Sequence, residues 1–144
     1  MALRSLRCSI LILTLALTAC ATERDLTQDN RVPTNYKADI LAFLRTYLND
    51  PTNVRDASAS QPTLQHVGAG DRYVVCVRFN ARKSDGKYGG VLDTAAIFNG
   101  GKLYSFIDLT PDETASDAEL RTQQRNLCKT ATFQPFPELE HLTR

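Results

Sequence analysis

The chain has 144 residues, of which 42% are hydrophobic and 23% are charged, a size and composition typical of one globular domain. Its formal net charge is +1, so the sequence lacks the concentrated positive charge on which nucleic-acid binding depends. Because Met1 is the only methionine, a methionine-rich adaptable binding groove is also excluded.

The amino terminus predicts an export signal that covers residues 1–19. Arg4 and Arg7 make its first part basic, and the following stretch Ser9–Ala19 is mainly apolar. Such a stretch spans only about 16 Å as a helix, whereas a bilayer core requires about 20 apolar residues. A basic segment followed by a short apolar one is typical of a secretory signal peptide. A buried amino-terminal core helix is the alternative interpretation.

The apolar stretch ends in the sequence Leu17-Thr18-Ala19-Cys20. A branched apolar residue, two small residues and a cysteine resemble the lipobox of bacterial lipoproteins. The resemblance implies cleavage before Cys20, a thioether-linked diacylglycerol on its sulfur and acylation of the new amino terminus. The tripeptide Ala19-Cys20-Ala21 also fits the small-x-small rule for ordinary signal cleavage, which would discard the cysteine.

Lipidation at Cys20 implies a location in the bacterial cell envelope, because two or more acyl chains anchor a protein stably to a membrane. In enterobacterial sorting, an aspartate after the cysteine retains a lipoprotein at the inner membrane. Ala21 therefore implies the outer membrane, with the protein facing the periplasm. Residues 20–34 are polar and aperiodic, so they are expected to form a flexible tether with a span of roughly 20 Å.

The first regular element of the domain is predicted to be an amphipathic helix over Tyr36–Asn49, within a domain that covers residues 35–144. Its apolar residues recur at three- and four-residue steps. Thr34 or Asn35 can cap the helix, and Pro51 disfavours helical geometry in the residue before it.

Three strands are predicted in the middle of the chain, over Arg72–Lys83, Val91–Phe98 and Lys102–Leu109. The first alternates clearly between two faces, and Asn99-Gly100 is a hairpin signal between the other two. The strands are expected to form an antiparallel meander, with the helix covering the apolar row of the first strand: Val75, Val77 and Phe79. A further short strand is expected near Val54–Ala57.

The last third of the chain predicts a second, weaker helix. Ser116-Asp117-Ala118-Glu119 resembles a capping box, and the helix could extend to about Lys129. The prolines between Phe133 and Leu139 favour an extended, packed segment instead of a regular helix. The predicted fold class is α+β: a small antiparallel sheet of three or four strands, one packed amphipathic helix, and a second short helix or loop tied by a disulfide.

That disulfide follows from the cysteine count. Cys8 lies inside the predicted signal peptide and Cys20 is the predicted lipidation site, which leaves Cys76 and Cys128. An even pair in an exported domain predicts a disulfide, with two buried free thiols as the alternative. The bridge would close a loop of about 50 residues and stabilise the fold by roughly 4 kcal/mol.

Candidate chemistry is sparse. His66 and His141 are isolated, and no known nucleophile or metalloprotease motif occurs. The acidic residues between Asp108 and Glu119 match no EF-hand spacing and are expected to be solvated. The sequence thus predicts no catalytic residue, no metal ligand and no cofactor other than the lipid on Cys20.

The candidate binding face consists of Arg78, Asn80 and Arg82, which share one side of the first predicted strand. Lys83, Lys87 and Lys102 are expected nearby, and an anionic glycan, a lipid head group or an acidic protein could use this surface. The alternative is an ordinary solvated sheet face, since antiparallel sheets commonly have one wet side.

These features predict a membrane-anchored, non-enzymatic binding or structural module of the bacterial envelope. Its expected partners are the membrane, through the lipid, and an envelope protein or glycan; nucleic acid is not expected. The alternatives are a periplasmic inhibitor of a hydrolase and a small enzyme.

Overall fold

The computed structural model describes residues 30–110 and 118–143, and only the backbone of residues 118–121. The predicted signal peptide, Cys20 and the first part of the predicted capping box therefore lie outside the described residues. The helices and strands, in chain order, are α1 (Tyr36–Tyr47), β1 (Asp50–Ser60), β2 (Thr63–Val67), β3 (Gly70–Arg82), β4 (Leu92–Asn99), β5 (Lys102–Asp108), α2 (Ala118–Asn126), β6 (Phe133–Pro135) and α3 (Pro137–Glu140).

The strands form one antiparallel sheet in the order β5-β4-β3-β1-β6. The sixth strand, β2, pairs with the first residues of β3 on the edge that β1 uses further along. The predicted meander β3-β4-β5 is confirmed. The short strand expected near Val54–Ala57 is part of the longer β1, and the unexpected β2 and β6 bring the described sheet to six strands, more than the three or four expected. The fold is mostly antiparallel sheet with a few short helices.

The turn between β4 and β5 differs in register from the prediction. Asn99 pairs with Lys102, so Gly100 and Gly101 are the two turn residues. Both have positive φ, at 58° and 78°. Such turns need positive φ at both central positions, which glycine adopts without the steric cost of a side chain. The Gly-Gly pair therefore places the turn one residue later than Asn99-Gly100.

One face of the sheet carries the main core. Val75, Val77 and Phe79 are fully buried there, as the alternation of β3 predicts. Ile40 and Leu44 of α1 belong to the same cluster, and the carboxy-terminal segment contributes Phe136, Leu139 and Leu142. The short α3 was not predicted. Pro137 lies in its first turn, where the backbone N–H groups have no partner within the helix. Proline, which has no N–H, therefore costs the helix no hydrogen bond there.

The opposite face is covered along only part of its length. Val74 and Cys76 of β3 pack there with Ala95 and Ile97 of β4, and Leu127 closes over them. Further along β3, the same face carries the polar residues of the predicted binding face. On this face of the sheet, the part around Val74 and Cys76 is therefore buried, and the part that carries the polar residues is partly exposed.

The chain joins the sheet beside the β4–β5 turn. Pro33 is fully buried, and the backbone oxygens of Arg31 and Val32 lie 3.8 Å from the position that a Cβ would occupy on Gly101. Residues 31–33 are therefore packed against the domain. Tyr73 pairs with Phe98 near this turn, whereas Arg82 is the last residue of β3. At about 3.3 Å per residue, Tyr73 and Arg82 lie about 30 Å apart.

Candidate functional site

A disulfide joins Cys76, in the middle of β3, to Cys128, just after α2. The bond pins the segment after α2 to the central strand. Of the residues described in Thr122–Thr130, only Leu127 is buried, so apolar packing alone holds this segment weakly. The cysteine pairing expected from the sequence is thus present, and it covers the buried half of the second face.

Arg78 of the predicted binding face is engaged within the protein. Its Nε donates to Asp93 on the neighbouring strand β4, and its guanidinium carbon lies 3.9 Å from the centre of the Phe133 ring. Asp93 is directly opposite Arg78 in the β3–β4 register. A cross-strand ion pair and a cation–π contact give this arginine a structural role.

Asn80 fixes the connection between β3 and β4. Its Oδ1 accepts a hydrogen bond from the backbone N–H of Gly90, at 3.1 Å. Lys83 and Lys87 close the same connection, with the N–H of Lys83 donating to the carbonyl of Lys87 at 2.9 Å. These bonds hold the connection in one conformation, so Asn80 positions its neighbours.

Arg82 lies in a cluster that the sequence did not reveal. Its guanidinium carbon is 5.3 Å from the centre of the Tyr88 ring, and that of Arg55 on β1 is 4.2 Å from the same ring. We call Arg55, Arg82 and Tyr88 the arginine–tyrosine corner. The Tyr88 hydroxyl donates to the backbone carbonyl of Asn53 at 2.8 Å, which fixes the ring between the two strands.

The corner depends on an irregularity in β1. Asp50 pairs with Arg82 and Arg55 pairs with Asn80, so β1 contains extra residues relative to β3. Within this bulged strand, Asn53 and Asp56 have positive φ, at 61° and 55°. Bulges bend a strand and redirect its side chains, and they are common next to functional sites. Here the bulge brings the Asn53 carbonyl to Tyr88.

The arginines of the corner retain hydrogen-bond donors. Arg82 Nε is shielded from solvent and has no hydrogen-bond partner among the described residues. Its Nη1 lies 3.8 Å from Asp50 Oδ2, beyond hydrogen-bonding distance, while Asp50 Oδ1 accepts bonds from Thr52. The Arg55 backbone lies in the β1–β3 ladder, and the contact described for its guanidinium is with the Tyr88 ring. Arg82 is thus held by an ion pair with Asp50 and by packing against Tyr88, whereas the Arg55 guanidinium packs against the Tyr88 ring.

A cleft of about 430 Å³ opens beside Arg82. It lies between the bulge of β1 and the start of the β3–β4 connection. Its described lining residues are Asn49, Asp50, Thr52, Asn53, Arg82, Lys83, Ser84 and Gly86. The cleft thus combines two cationic side chains, one carboxylate and several neutral hydrogen-bonding groups.

Lys102 does not contribute to this surface, contrary to the expectation from the sequence. It follows the β4–β5 turn, beside the residues that enter the domain, whereas Arg82 is at the far end of β3. Lys83 and Lys87 do lie near the corner, in the connection that follows Arg82. Of the three lysines expected near the binding face, Lys83 and Lys87 therefore lie at the Arg82 end of the sheet and Lys102 lies at the other end.

Other places in the described residues offer less chemistry. A cleft of about 220 Å³ beside the disulfide has no titratable described lining residue apart from the bonded Cys76. His66 Nδ1 lies 3.1 Å from Asp71 Oδ1, with both side chains mostly exposed. No group of three or more His, Cys, Asp or Glu residues in 30–110 and 118–143 could hold a metal ion.

Comparisons with known proteins give no relative: no family model, curated protein or solved structure matches the chain. Within the described ranges, no helix has the length and apolar character needed to cross a bilayer.

Proposed function

We propose that the protein is a lipid-anchored module of the bacterial envelope that binds an anionic partner and catalyses no reaction. The observation that carries the binding proposal is the arginine–tyrosine corner, with two guanidinium groups held on one ring. Arginine in a fixed orientation recognises anions well, because its planar fork is already arranged for paired hydrogen bonds. The cleft beside Arg82 gives such a partner room to enter.

Several properties favour binding over the two alternative functions. The cleft is lined mainly by neutral polar groups. Its one described carboxylate, Asp50, accepts hydrogen bonds from the backbone N–H and the hydroxyl of Thr52 two residues later, an arrangement typical of a local turn and not of an activated nucleophile. An inhibitor that inserts an arginine into an enzyme needs a projecting side chain, whereas Arg82 is recessed, with 37% of its side chain exposed. A recessed cationic cleft fits a receptor for an incoming anion.

Lipid anchoring is proposed from the sequence Leu17-Thr18-Ala19-Cys20. For Cys20→Ser expressed in a Gram-negative host, we expect the protein to leave the membrane fraction and to lack acyl mass. The physical reason is that serine offers no thiolate for the thioether, and the membrane affinity resides in the buried acyl chains. Membrane fractionation and intact-mass spectrometry measure both effects.

Cys8→Ser is the matched control, because it removes a thiol from the same segment without touching the lipobox. It should remain in the membrane fraction with its acyl mass. The lipoprotein proposal is wrong if the Cys20→Ser protein stays in the same fraction as the unsubstituted chain and differs from it in mass only by the cysteine-to-serine change. Ordinary cleavage of a signal peptide would then be the better interpretation.

A further inference from the structure

We infer that the arginine–tyrosine corner binds side-chain carboxylates of an acidic protein segment. This inference rests on the proposed function and names the partner of the same site. The guanidinium carbons of Arg55 and Arg82 lie 4.2 Å and 5.3 Å from the centre of the Tyr88 ring. The distance between these two carbons therefore cannot exceed the sum of those two distances. Acidic residues two positions apart in an extended segment lie on the same face, roughly 7 Å from each other, which is within this limit.

The hydrogen-bonding groups of the cleft suit a peptide. A carboxylate accepts two parallel bonds from one guanidinium, and the Arg82 side chain lines the cleft with 37% of its surface exposed. Thr52, Asn53 and Ser84 also line the cleft and can pair with the amide groups of a peptide backbone. The cleft can therefore hold one carboxylate at Arg82 and the chain that carries it, while Arg55, outside the cleft on the same Tyr88 ring, receives the second carboxylate.

A glycan fits the corner less well. A sugar ring stacks on the open face of an aromatic side chain, and Tyr88 is the aromatic residue of this site. Arg55 and Arg82 both lie against its ring, and its hydroxyl is bonded to Asn53. The ring is thus used to position cations and leaves less open aromatic surface for a sugar.

A head group of the anchoring membrane also fits less well. The chain enters the domain beside Gly101, and the corner is at the opposite end of β3, about 30 Å away. A tether that emerges at the Gly101 end places the corner on the side remote from its anchor. Attachment at the Gly101 end therefore leaves the corner accessible to partners that lie beyond the surface of that membrane.

The test measures binding of a fluorescein-labelled hexaglutamate peptide to the full chain in non-ionic detergent, by fluorescence anisotropy. We expect binding that weakens between about 20 mM and about 150 mM salt, as surface charges are screened. Arg82→Gln and Arg55→Gln should each weaken it by about tenfold or more. Arg125→Gln is the control: it removes the same charge from exposed α2 and should change the affinity by less than about twofold.

Two further probes, phosphatidylglycerol vesicles and polygalacturonate, identify the source of the anion. Binding of either one, but not of the peptide, with the same dependence on Arg55 and Arg82 overturns the acidic-segment inference and leaves the proposed function standing. Absence of any binding that depends on these arginines overturns both. Equal losses in Arg125→Gln and Arg82→Gln also overturn both, because they would indicate non-specific charge attraction. Thermal unfolding of each variant verifies that the fold is intact.

Discussion

Breaking the Cys76–Cys128 disulfide is expected to lower the free energy of unfolding by about 4 kcal/mol. The bond joins residues separated by 52 positions, and a cross-link over such a distance greatly restricts the unfolded chain. The double variant Cys76→Ala/Cys128→Ala removes the bond without leaving a buried thiol or hydroxyl. Urea unfolding of this variant and of the unsubstituted chain, followed by circular dichroism, measures the difference.

The loss should also have a local component around α2. Leu127 is the buried residue of the described segment Thr122–Thr130, so little apolar packing remains once the bond is gone. Hydrogen exchange should therefore rise in residues 122–131 and change little in β3 and β4, which pair with each other along their centres.

A reductant that demonstrably frees both thiols of the unsubstituted chain should lower its free energy of unfolding. An unchanged free energy of unfolding after this treatment would contradict the prediction. Faster exchange throughout the sheet would contradict only its local component. Such a result would mean that the bridge supports the whole fold and not mainly the α2 segment.

The elements that the sequence predicted well have uninterrupted periodicity. The apolar steps of α1 and the strict alternation of β3 each report a single regular backbone, so their positions follow from local pattern alone. The observed α1 ends at Tyr47 and not Asn49, because Leu48 is already extended, with ψ at 139°. The difference is small because helix ends depend on caps more than on periodicity.

The elements that the sequence missed depend on context. Two register shifts in β1 interrupt its alternation, so only the fragment near Val54–Ala57 could be expected. The three-residue β6 contains Pro135, and α3 has only four residues. Such short elements form because β1 and the core are already in place, and local propensity does not specify them.

The candidate site, like the fold, was predictable from the sequence only where it depends on a regular strand. Alternation along β3 placed Arg78, Asn80 and Arg82 on one face, but it could not separate their roles. Those roles depend on the strand register, which puts Asp93 opposite Arg78. Tyr88 lies in the β3–β4 connection and Arg55 lies in the bulged strand β1, so alternation along β3 could not place either of them. A lone aromatic residue among lysines and glycines, Lys87-Tyr88-Gly89-Gly90, was the one available signal for Tyr88.

Phe136→Ala is expected to lower the free energy of unfolding by about 3–5 kcal/mol, which tests the role of the carboxy-terminal segment. Phe136 is fully buried, and its N–H donates to the carbonyl of Ala57 at 2.9 Å. The substitution removes a large apolar side chain and leaves a cavity in the main core, and both effects are destabilising. Urea unfolding with the disulfide intact measures the loss.

Glu138→Ala is the matched control on the same segment. Glu138 is 53% exposed, and its carboxylate is 3.6 Å from the Lys37 ammonium, so its removal should cost less than about 1 kcal/mol. Equal, small losses for both variants would mean that the segment lies on the surface and that Phe136 does not belong to the core. A large loss of unfolding free energy for Phe136→Ala alone would establish that a proline-rich segment completes the core. In that segment Leu139 and Leu142 are buried beside Phe136, and the Glu140 carboxylate accepts a hydrogen bond from the Ala57 N–H. The edge of β1 would then be closed by residues whose sequence resembles a loop.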